Sequence, residues 1–264
     1  MNKLKSAITA FSLLTALLIA GFPTVASAEI ETVAEAINKS GRQRMLTQRI
    51  VRAYSQIGLN VKKSDSEKML ADAVKLFDKQ LAELEAFALT PKLKNRVKEV
   101  QKQWPQFKKT ATGKVDKKGA SKLQDTNDKL LKVCHELVLE FQSFAGTKSG
   151  KLINIAGRQR MLSQRNSMFF MLKEWGLGNA GTDKDMKKAF TEFRDAMATM
   201  KESPINTPKI SQALKSAYKH FDQFETMLGL TGVGARIKVS EKADFLLTYM
   251  NRITGMYQEV ADSQ

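Results

Sequence analysis

Two arginines in matching settings carry the clearest chemistry in this chain. Residues 37–49 read Ile37-Asn38-Lys39-Ser40-Gly41-Arg42-Gln43-Arg44-Met45-Leu46-Thr47-Gln48-Arg49. The same pattern returns 116 residues later as Ile153-Asn154-Ile155-Ala156-Gly157-Arg158-Gln159-Arg160-Met161-Leu162-Ser163-Gln164-Arg165, with ten of 13 positions identical. Gly41, Arg44 and Gln48 stand at steps of three and four, as do Gly157, Arg160 and Gln164. That spacing puts each set on one face of a helix. A guanidinium is a fixed fork of donors that does not titrate away near neutral pH, and it matches a planar oxyanion or a carboxylate. Neither copy contains Asp or Glu. The neutralising charge must therefore come from a carboxylate on another helix or from a small bound oxyanion, and the residues alone leave both open.

On a wheel of 100° per residue, Leu46, Ile50, Ala53 and Ile57 form one apolar side, the expected core face. Val33, Ile37, Gly41, Arg44, Gln48 and Val51 form a second stripe on roughly the opposite side. A surface helix needs one such stripe, and a second predicts another helix packed from outside. A mid-helix glycine costs about 1 kcal/mol relative to alanine, and one use for it is the close approach of another backbone or a ligand. An arginine in that seam loses water and needs an anion or many acceptors. Arg42, Arg49, Arg158 and Arg165 lie to the side of the stripe and read as surface or salt-bridging residues. Met168-Phe169-Phe170-Met171 reads as packing.

The repeat extends beyond these segments. Phe77 pairs with Phe193, Leu81 with Met197, Thr90-Pro91 with Thr207-Pro208, Trp104 and Phe107 with Phe221 and Phe224, Leu130-Leu131 with Leu246-Leu247, and Phe141-Gln142 with Tyr257-Gln258. Each unit predicts four helices, at 31–57, 65–89, 92–110 and 120–145, then 150–175, 183–202, 207–229 and 236–262. Period-two alternation is scarce, so no sheet is expected. The expected fold is all-α: two tandem up-down four-helix bundles, 29–147 and 148–264. The seam at Gly146–Gly150 has no proline, which leaves the last helix of the first unit free to run on as a shared long helix.

The 264 residues open with Lys3 and Lys5, an apolar run from about Ala7 to Phe22, and Ala26-Ser27-Ala28. This pattern predicts a cleaved secretory signal peptide over 1–28 and a periplasmic protein beginning at Glu29. The formal net charge of +16 would suggest nucleic acid in the cytoplasm. For an exported protein it points instead to small anions, acidic partners or membrane surfaces. Cys134 is the single cysteine, so no intramolecular disulfide is expected and the side chain reads as a small buried hydrophobe. His135 and His220 have no Cys or carboxylate at metal-ligand spacing, and no phosphate-binding loop or nucleophile elbow occurs. No enzyme activity, metal or cofactor is expected.

The doubled Ile-Asn-x-[Ser/Ala]-Gly-Arg-Gln-Arg-Met-Leu-[Thr/Ser]-Gln-Arg segment resembles the opening helix of the PilJ/NarX-like periplasmic sensor domain. That family includes the input modules of nitrate/nitrite sensor kinases and of a type IV pilus chemotaxis transducer. The resemblance implies a four-helix bundle whose first helix meets that of a second copy, with nitrate held between them by the arginine corresponding to Arg44 and Arg160. Gly41 and Gly157 match the motif glycine, and Lys39 a motif lysine replaced by Ile155 in the second copy. The Arg42-Gln43 and Arg158-Gln159 positions are closer to the pilus-transducer branch. The expected function is a sensory, ligand-binding protein that holds a small anion such as nitrate or nitrite between its two first helices. Gly41, Arg44, Gln48, Gly157, Arg160 and Gln164 would form the site. The alternative is an interaction module whose motif stripe docks on a membrane sensor or a pilus or chemotaxis component. A homodimer is also compatible with the pattern.

Overall fold

A computed structural model describes residues 29–264, and the expected signal peptide lies outside the described residues. The described chain forms eight helices: α1 Val33–Gly58, α2 Lys63–Phe87, α3 Pro91–Ala111, α4 Lys117–Ala145, α5 Lys148–Glu174, α6 Ala180–Lys201, α7 Pro208–Met227 and α8 Gly232–Asp262. No strand occurs among the described residues. The helix starts follow local chemistry. Thr90 and Thr207 each cap a backbone N–H with their side chains, and Pro91 and Pro208 fill the first helical position. An N1 proline gives up only a donor that would have had no partner. Asn179 and Thr182 form a capping box at the start of α6.

The shared long helix that the proline-free seam left open does not form. Gly146 takes a left-handed conformation, φ 64°, and its N–H donates to the Gln142 carbonyl. Thr147 is extended, and its hydroxyl caps the Gly150 N–H to begin α5. The segment lacks proline but holds a glycine suited to ending a helix and a threonine suited to starting one, and these break it.

Helices α1–α4 pack on one another, α5–α8 repeat the arrangement, and the two sets join through α1 and α5. These two motif helices run parallel. Gly150 lies against Ile37, Gly41 and Gly157 lie beside both Arg44 and Arg160, and Gly58 lies under the Trp175 ring. The outer helices follow the repeat as well: Phe77 stacks on Trp104 and Phe193 on Phe221, each with ring centroids 3.8 Å apart. Buried apolar side chains of all eight helices form one continuous core. Leu46, Ile50 and Ala53 are inside it, as is the Met168–Met171 run. Cys134 is buried and unpaired, and burial pushes its thiol pKa up. No described helix is long and apolar enough to cross a membrane.

Candidate functional site

Arg44 and Arg160 are both 0% exposed. Each reaches across the α1–α5 seam to the other unit. Arg44 donates through Nη2 to Asn154 Oδ1 at 2.7 Å and to the Asn154 carbonyl at 3.3 Å. Arg160 donates through Nη1 to Asn38 Oδ1 at 2.8 Å and through Nη2 to the Asn38 carbonyl at 3.0 Å. Asn38 and Asn154 are the second residues of the two motif copies, so the exchange is two-fold symmetric. Each asparagine is steadied by a matching glutamine: Asn38 Nδ2 donates to Gln258 and Asn154 Nδ2 to Gln142.

The remaining Nη1 contacts also fall at matching places. Arg44 Nη1 lies 3.0 Å from His135 Nδ1, and Arg160 Nη1 lies 3.2 Å from Asn251 Oδ1. His135 and Asn251 stand the same 91 residues beyond their arginines. A guanidinium only donates, so His135 Nδ1 must accept and the ring proton sits on Nε2. Burial, with Arg44 and Arg158 nearby, pushes the His135 pKa down to about 4.

No ion pair among the described residues includes Arg44 or Arg160. All the acceptors they find are neutral, and the Nε of each is buried without a hydrogen bond. Burial, then Arg158, lowers Arg44 to about 9; burial, then Arg42 and Arg44, puts Arg160 well below the usual guanidinium range. Both shifts mean that the fold keeps positive charge in a costly place and supplies no negative charge.

Gly41 and Gly157 make the approach possible. A Cβ on Gly41 would sit 3.4 Å from Arg44 Nη2 and 3.5 Å from Arg160 Nη2, and one on Gly157 would sit 3.0 and 3.8 Å from Arg160 and Arg44 Nη2. The two Nη2 atoms are therefore less than about 7 Å apart. At an effective dielectric of about 20, like charges at that distance repel by about 2 kcal/mol. An anion between them reverses the sign.

The other expected site residues are engaged elsewhere. Gln48 exchanges hydrogen bonds with Asn127 of α4. Gln164 donates to the Ala243 carbonyl of α8 and accepts from Arg52. Neither bonds Arg44 or Arg160. Three of the four flanking arginines form ion pairs, Arg49 with Asp244, Arg158 with Glu192 and Arg165 with Asp128 and Asp185. Lys39, the motif lysine, pairs with Glu35 and Glu83.

Sequence reasoning missed four residues that hold the pair: Asn38, Asn154, His135 and Asn251. The two asparagines are identical between the copies, and that identity was the usable signal. It also missed Arg52, which is fully buried and bonds Gln164, Ser240 and Asp244. Met168 occupies the corresponding place in the second copy, so the repeat gave no sign of it. Among the described residues, no group of three or more His, Cys, Asp or Glu side chains could hold a metal ion.

No curated protein and no solved structure matches the chain. The likeness of the second unit to the first rests on the internal repeat and the shared geometry. Residues 25–131, which carry Arg44 and span α1 to the first half of α4, match the PilJ family model, "Type IV pili methyl-accepting chemotaxis transducer N-term".

Proposed function

We propose that this is an exported sensory protein that binds a small oxyanion, nitrate or nitrite in kind, between α1 and α5. The observation that carries the reading is the pair of fully buried, carboxylate-free guanidinium groups facing each other beside two glycines. A structural arginine pair would be expected to meet Asp or Glu, because a buried unpaired charge is strongly destabilising. Here the acceptors are amides, carbonyls and an imidazole, which orient the forks without neutralising them. One planar anion takes up donors from both. The tandem arrangement places in one chain the two parallel motif helices that a dimer would otherwise provide. Binding biases how α1 packs on α5, and that shift is the signal.

The second reading, docking of the motif stripe on a foreign helix, loses its surface, since α5 covers the stripe. A membrane-bound transducer or pilus component would receive the signal at another face, and capture from a periplasmic extract with and without nitrate tests that step. The primary test is calorimetric titration of residues 29–264 with nitrate, nitrite, acetate and sulfate, repeated with Arg44→Gln and Arg160→Gln. Saturable binding of a monovalent oxyanion, lost in both variants, supports the reading. No binding by the parent protein, or binding indifferent to both substitutions, discards it.

A further inference from the structure

The guanidinium pair is two-fold related, but its surroundings are not. Arg44 ends on an imidazole where Arg160 ends on the Asn251 amide. On the α1–α8 side, Arg49 and Arg52 grip Asp244 at 2.7 and 2.8 Å. On the α4–α5 side, Met168 stands in place of Arg52. Arg165, the counterpart of Arg49, is 3.6 Å from Asp128 and 3.8 Å from Asp185. At this looser seam a cleft of about 240 Å³ opens between α4, α5 and α6 and reaches Arg44. His135, half-buried, stands in its wall. Five cationic side chains line the cleft against three carboxylates. Two of the five, Lys132 and Lys188, are exposed and free of ion pairs among the described residues. Across the two-fold their places are taken by Thr248 and by Asp72, which pairs with Lys68.

Resting on the oxyanion reading above, we propose that the anion enters and leaves by one side only. The route is the α4–α5–α6 cleft, the His135 ring is the movable wall in front of Arg44, and Lys132 and Lys188 steer the anion at the mouth. The imidazole holds Arg44 by one hydrogen bond where Asn154 holds it by two, so of the two residues it is the one released at the lower cost. When the ring turns away, Nη1 is freed toward the cleft while Asn154 keeps Nη2 in place. The opposite side has no equivalent release, because Asn38 and Asn251 share Arg160 Nη1 and the Asp244 clasp holds the adjoining seam shut. The unpaired lysines raise the local anion concentration, an effect that fades with salt.

The test compares access at the two equivalent walls. In a Cys134→Ala background, His135→Cys and Asn251→Cys are each treated with methanethiosulfonates of similar size, one an anionic sulfonate and one a trimethylammonium cation. The ratio of anionic to cationic modification rate should be about 10-fold or more larger at His135→Cys than at Asn251→Cys, and should collapse in Lys132→Glu/Lys188→Glu. Equal ratios at both positions overturn the one-sided route. The same lysine pair, introduced alone, should slow nitrate association in stopped-flow about 10-fold at low salt; an unchanged rate also overturns it. Nitrate should protect His135→Cys from the anionic reagent. If the access asymmetry appears but nitrate gives no protection and shows no calorimetric binding, the oxyanion reading itself is discarded. If nitrate binds and the asymmetry is missing, only the route fails.

Discussion

At the level of single residues, the guanidinium pair makes opposite demands on stability and on binding, and Gly41 separates them. Alanine at Gly41 would meet both Nη2 atoms at ordinary contact distance, 3.4 and 3.5 Å. Mid-helix Gly→Ala gains roughly 0.5–1 kcal/mol in the helix. Gly41→Ala should therefore leave the melting temperature unchanged or raised while abolishing oxyanion binding, because its methyl occupies the space between the forks. Scanning calorimetry with and without nitrate checks both halves of that statement. At Gly157 the same methyl stands 3.0 Å from Arg160 Nη2, so that variant should lose stability as well as binding. His135 gives a second prediction. Its folded pKa of about 4 lies below the ordinary 6.5, so between those values the unfolded chain binds the extra proton. Stability contributed by this group is fully present above pH 6.5 and is lost as pH falls toward 4. The loss is of order 2 kcal/mol, less than full conversion of the shift because the ring is partly solvated. Urea titrations across pH 4–7 should show this slope in the parent chain and a shallower one in His135→Asn, which copies Asn251. At this scale the sequence revealed the arginines and glycines, since their identity in both copies and the missing acids were visible. It did not reveal His135 or Asn251, because their partners lie 91 residues away and the two copies differ there.

At the level of helices, the repeat made the fold readable and hid its asymmetry. Periodicity, the two Thr-Pro starts and the paired aromatics placed all eight helices to within a few residues. The second stripe on the motif helix correctly required a helix from outside, and that helix is α5. The wheel could not tell which neighbour each stripe residue would meet. Gln48 and Gln164, in line with the arginines on paper, turn to α4 and α8 and leave the pair to asparagines one position off the stripe. Arg52 was missed for a different reason: it stands four residues beyond Gln48, at the edge of the second stripe, but Met168 takes its place in the second copy, so the repeat did not mark it. In the fold it reaches α8 and holds the two units together near the C-terminal end of α1. Burial alone would raise the Asp244 carboxyl, but Arg52 and Arg49 outweigh it and hold its pKa below the usual range. The two ends of this clasp should respond unequally. Arg52→Met, which copies Met168, leaves Asp244 partly solvated and still paired with Arg49, and should cost about 1–3 kcal/mol in lost hydrogen bonds. Asp244→Ala strands a fully buried Arg52 and should cost about 3–5 kcal/mol. Denaturant midpoints of the two variants decide the order. Equal costs would mean that the clasp is no more than surface pairing.

For the whole molecule, the duplication has turned what could have been a dimer interface into the interior of one chain. Apolar side chains of both units share a single core across α1 and α5, so the units have no separate interiors to melt independently. Thermal unfolding should be one cooperative transition, and a bound oxyanion at about 100 times its dissociation constant should stabilise the entire chain by about 2.7 kcal/mol. The covalent link contributes little to holding the halves together, since α4 ends and α5 begins at a two-residue turn, Gly146-Thr147, whose residues are the two caps. A protease site inserted between Gly146 and Thr147 makes this testable. After cleavage the two halves should still elute as one particle on size exclusion, still bind nitrate at the α1–α5 seam, and come apart only at denaturant concentrations that unfold them. Separation under native conditions would show that the linker holds the motif helices together, and the parallel packing of α1 on α5 could then not serve as the stable frame of a switch.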